Sequence, residues 1–130
     1  MADIETVLYT KLSGTSGISD LVATRVYPVK APDQPTAPFI RYVEIDEPRM
    51  HGMTEDHGIA MPRIQIDCYA ATHAAAKAVA AAVKAALQRW SDAATSPAIL
   101  DAFFDTQRSD YESEVKLFVV SQDWVIWNRE

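Results

Sequence analysis

In "DIETVLYTKLSG" the apolar positions Ile4, Val7, Leu8 and Leu12 recur at helical spacing, which predicts an N-terminal helix with one buried face. Asp3 is placed to cap its first turn, and Gly14 to end it after Ser13. "ISDLVATRVYPV" predicts a helical turn from Ile18 to Val22 and then a short strand around Val26. "FIRYVEID" (Phe39 to Asp46) is rich in β-branched and aromatic residues and predicts a strand. "RIQIDCY" alternates, with Ile64, Ile66 and Cys68 on one face and Arg63, Gln65, Asp67 and Tyr69 on the other. Next comes a helix from His73 to about Trp90, with Thr72 as its N-cap. Val79, Val83, Leu87 and Trp90 form its apolar stripe, flanked by Ala75, Ala76, Ala82 and Ala86, while Lys77, Lys84 and Gln88 lie opposite. Alanine favours the helix and lets it lie close to whatever it covers, so this is a sheet-covering helix.

Pro97 in "SDAATSP" forbids continuation of the helix. "AILDAFFDTQRSDY" then predicts a strand of mixed pattern, "ESE" a turn, and "VKLFVVSQDWVIWNR" a long last strand. The order is α, short β, β, β, α, β, β. It predicts an α+β two-layer sandwich over a single domain, residues 1–130: two helices on one face of a mainly antiparallel sheet of four to five strands. Two connections stand out. "PVKAPDQPTAP" carries four prolines in eleven residues and reads as a stiff surface loop. "EPRMHGMTEDHGIAM" has no period and reads as a long loop, of a kind that is usually functional or disordered.

The last strand is apolar on both sides. Phe118, Val120, Trp124 and Ile126 share one face, and Leu117, Val119, Val125 and Trp127 the other. Two helices cover one face of a sheet, so the second face meets either a neighbouring subunit or its own sheet, strongly curved.

At 130 residues the chain holds one core. Its net charge of −6 argues against broad binding to a phosphate backbone. A single cysteine forms no internal disulfide. The start "MADIETVLYTKL" has acids where a secretory signal has lysines, and Lys77 and Lys84 interrupt the alanine run, so no membrane association is expected and the chain should stay where it is made.

Candidate chemistry is sparse. Asp67 and Cys68 point to opposite faces of one strand and cannot share an ion with His73. Cys68 shares its face with Ile64 and Ile66 and reads as a core residue. His51, Glu55, Asp56 and His57 cluster within one loop but lack the fixed helical spacing of a metal site. Acid pairs such as Asp105 with Asp110 have no nucleophile, phosphate cradle or oxyanion pattern beside them. No enzyme activity, metal or cofactor is expected.

"RVYPVKAP" with "PFIRYVEI", then "RIQIDCYAAT", the "VAAAVKAAL" stripe and "SDYESEVKLFVVSQDWVIW" together resemble the tail-completion proteins of long-tailed bacteriophages and prophages, similar in fold to the lambda-type tail terminator. The resemblance implies a structural role without catalysis. The chain would form a homo-oligomeric ring, typically a hexamer, at the head-proximal end of the tail tube. That ring ends tube polymerisation and meets the tail tube protein and the head-completion (stopper) protein, and DNA passes through it without specific binding. It also implies synthesis in the bacterial cytoplasm and residence in the virion tail. Leu117, Val119, Val125 and Trp127 on the second sheet face, with Glu47, Arg49, Glu55 and Asp56 in the long loop, are the expected contact residues. The alternatives are a small intracellular α+β module that binds a ligand or peptide on its open sheet face, and an enzyme built on the His51 to His57 loop.

Overall fold

A computed structural model describes residues 3–33, 35–51 and 56–129, with 49–51, 56 and 57 described by backbone alone. Helix α1 spans Ile4–Gly14, with the Asp3 carboxylate accepting from the Thr6 amide as N-cap. Helix α2 spans Ser16–Val22 and α3 spans His73–Leu87, where Thr72 Oγ1 caps the Ala75 amide. The strands are β1 (Val26–Pro28), β2 (Phe39–Asp46), β3 (Arg49–His51), β4 (Asp56–Ala60), β5 (Arg63–Ala70), β6 (Ala98–Glu112) and β7 (Leu117–Arg129).

Among the described residues the fold is α+β, with three helices and a curled, mixed sheet. Its strand order is β1-β2-β5-β7-β4-β3, with β6 on the other side of β7. β1 pairs parallel to β2, and the other pairings are antiparallel. β5 and β4 lie end to end along one edge of β7, from Ala70 opposite Phe118 to Ile59 opposite Arg129. β2 and β3 follow them in the next row. Bulges between Ile99 and Asp101 and between Phe104 and Thr106 bend β6 against β7.

Among the described residues the sheet has seven strands rather than four to five, because β1, β3 and β4 join it, and four further expectations are corrected. The Ile18 turn is a full third helix, because Ile18 and Val22 both have a core to enter and are fully buried. The long loop contains β3 and β4, which pair with each other, while only Ile59 and Ala60 of β4 also pair with β7, so partners distant in sequence and not a local period define them. Helix α3 stops at Leu87 rather than Trp90. Arg89 there adopts φ 59°, and its amide turns to the Ala102 carbonyl at 3.0 Å. The last strand starts at Leu117, two residues late, since Val115 and Lys116 belong to the turn.

One core lies between the helices and one sheet face. Leu8, Leu12, Ile18, Val22, Ala76, Val83 and Leu87 meet Ile40, Ile64, Ile66, Cys68, Val120, Trp124 and Ile126 there, all at 0% exposure. Gln122, also fully buried, ties the layers together. Its amide Nε2 donates to Ala80 O and to Gln107 Oε1, both at 2.9 Å, and its Oε1 accepts from Trp124 Nε1 at 3.0 Å.

Candidate functional site

The second sheet face, away from the helices, has three zones. At one end Phe39, Tyr69 and Val119 form a small cluster against Tyr27, Leu117 and two residues of the proline-rich loop, Ala31 and Ala37. Phe39 and Tyr69 stack at 4.6 Å and 9°. The loop therefore folds over this end and covers it, so Val119 is only 4% exposed and is a core residue of its own chain.

The middle zone is polar. Asp67 is 2% exposed and accepts from Arg41, with Nη2 at 2.8 Å and Nε at 3.1 Å, and from Gln65 Nε2 at 2.9 Å. Ser121 and the Arg108–Asp123 pair (3.2 Å) continue this belt across β7 to β6. Tyr69 donates its hydroxyl to Glu112 at 3.1 Å. Burial, with Asp67 and Glu112 nearby, pushes the Tyr69 phenol up to about 12.

At the far end Val125 and Trp127 are half-buried and Phe103 is 37% exposed. Phe103 meets Trp127 edge-on at 6.2 Å and lies 4.9 Å beneath the Arg89 guanidinium. Arg63 and Asp105 pair at 2.6 Å beside them, and that carboxylate raises the Arg63 guanidinium above its usual value.

Of the expected contact residues, Leu117, Val125 and Trp127 thus stay partly open and Val119 does not. Glu47 is exposed between β2 and β3. Arg49 falls in β3 and Asp56 in β4, while Glu55 lies outside the described residues. The His51, Glu55, Asp56, His57 set is accordingly untested by side-chain geometry. The polar belt went unnoticed in the sequence, although its signal was there. Gln65, Asp67, Ser121 and Asp123 interrupt the second face at strict two-residue spacing.

Elsewhere, a cleft of about 510 Å³ opens between α1 and the segment after α3, with Val7, Lys11, Trp90 and Asp92 in its lining. Two of its hydroxyls are engaged locally: Thr10 donates to Thr6 O at 3.1 Å and Thr15 to Lys11 O at 2.6 Å. Cys68 is buried, and desolvation with Asp67 adjacent raises its thiol far above the reactive range. No helix among the described residues is long and apolar enough to cross a membrane.

Among the described residues this geometry defines a partly open sheet face of apolar side chains and ion pairs, with no group of side chains placed to hold a metal ion. The family described as "Tail completion protein gp17" matches residues 6–128, and the chain belongs to it. It is a structural protein of the virion tail and not an enzyme. Among solved structures, a chain from the "Virion of native gene transfer agent (GTA) particle" superposes with TM-score 0.82 at 20% identity, covering 98% of this chain and 95% of that one. No curated protein matches it.

Proposed function

We propose that copies of this chain form a closed ring at the head-proximal end of the tail tube, stop tube polymerisation and present a surface to the head-completion protein. The observation that carries this reading is the match to the tail-completion family over residues 6–128, nearly the whole chain. The geometry supports it. The helices pack on one face of the curled sheet, and the far end of the other keeps Phe103, Val125 and Trp127 partly open beside ion pairs. That patch, with Leu117 and the Glu47, Arg49, Glu55 and Asp56 segment, supplies contacts to a neighbouring copy, the tube protein or the stopper.

A ring presents two different surfaces per copy and closes only at a fixed rotation per step. Six copies are the expected number. The net charge of −6 lets DNA slide through without adhering. Electron microscopy of the purified protein, with and without its tail tube protein, tests the proposal. Rings seated at one end of tubes that no longer grow are the expected result. Tubes that elongate unchanged in its presence, or decoration along their whole length, would overturn it.

A further inference from the structure

The outer edge of β6 is occupied at its start and open at its end. At the start, residues 89–92 lie alongside it. Asp92 and Ile99 exchange both main-chain hydrogen bonds at 2.8 Å, and the Arg89 amide donates to Ala102 O at 3.0 Å. Asp101 completes the joint: one carboxylate oxygen accepts from the Ala102 amide at 2.9 Å and the other pairs with the Arg89 guanidinium at 2.7 Å. An aspartate thus guards the next residue's edge amide and is itself held by an arginine that the incoming segment brings.

Further along β6 half of this joint recurs. Asp110 Oδ1 accepts from the Tyr111 amide at 2.7 Å. That amide therefore points away from β7. The register of β6 on β7 is unbroken from Thr106 to Glu112, so the Ser109 and Gln107 amides face outward as well. Among the described residues no main chain lies along this stretch and no cation pairs with Asp110.

We infer that β6 from Gln107 to Glu112 is a docking edge for an arginine-bearing strand of a second copy of this chain, with Asp110 as the counter-charge. The inference rests on the proposed ring. The donor is β3, at the opposite end of the same sheet, unpaired on its outer side among the described residues and carrying Arg49. β1, equally short, is unsuited because it ends in Pro28, which has no amide hydrogen to donate, and packs against α1. A head-to-tail ring needs two unlike edges on each copy, and β3 and β6 provide them. In the free chain Asp110 blunts the edge, because one carboxylate oxygen occupies the Tyr111 amide and the other is left for an incoming arginine.

Residue-resolved amide exchange on ring-bearing tails tests this. Gln107 and Ser109, whose amides have no partner in the single chain among the described residues, should exchange at least roughly tenfold more slowly than the turn residues Ser113 to Lys116 of the same sample. Exchange at the turn's rate in normally capped tails overturns the edge assignment and leaves the ring intact; tails without any ring overturn both. Asp110→Lys should abolish capping, and Arg49→Asp added to it should restore capping. A double variant no better than either single one overturns the Arg49 pairing.

Discussion

Asp67 is a carboxylate almost without solvent, and its partner Arg41 keeps a third of its side chain exposed. Removing the arginine strands a buried charge, so Arg41→Ala should cost about 3 kcal/mol in urea unfolding, the low end for a broken buried pair because Arg41 is partly wet. Arg41→Met combined with Asp67→Leu should recover most of that loss, since an apolar pair of similar volume has no desolvation to offset. Glu44 behaves in the opposite sense. Burial first, then Glu47, Glu5, Asp3 and Asp46, raises its carboxyl above the usual 4.5. A carboxyl whose folded value is raised destabilises the fold once the pH passes that value, and costs nothing below the unfolded one. Glu44→Gln should therefore raise Tm at neutral pH and leave it unchanged in acid below the ordinary glutamate range. A gain that persists at low pH would contradict this assignment of cause.

Among the elements, α3 was the most legible in the sequence, because its buried positions Ala76, Val79, Val83 and Leu87 keep helical spacing. Leu87→Ala should cost about 2–5 kcal/mol in thermal or urea unfolding. Lys84, which spacing alone assigns to the solvent, lies 4.6 Å above the Phe104 ring. Lys84→Ala should consequently cost about 0.5–1 kcal/mol rather than nothing. β2 and β5 were equally legible, since each has one face on the core. What escaped notice depends on distant partners. β1 runs parallel to β2, a direction no local pattern encodes. Trp90 fits the helical stripe by angle, yet reaches the core from beyond the helix end, because Arg89 is drawn to β6. The second face was legible as apolar at Val119 and Val125. That Ala31 and Ala37 of the proline-rich loop cover one end of it could not be read from β7 alone.

For the whole molecule, the two faces of β7 should separate by phenotype. Ile126→Asp, at 0% exposure under the helices, should unfold the domain, and Val119→Asp should destabilise it too, given its cover. Val125→Asp, half-open at the far end, should leave a folded chain by circular dichroism that fails to cap tails. A Val125→Asp protein that caps normally would remove this patch from the assembly surface. The placement of β7 also has a mechanical consequence. It is held along its length by β6 on one side and by β5 and β4 on the other. A pull along the strand axis loads all of those rungs together, in shear, whereas a pull across the sheet peels them one at a time. If copies form the proposed ring and it sets β7 parallel to the tail, tension between head and tail meets the stiff direction of every subunit at once. The neck would then yield at the contacts between copies before any single chain unravels.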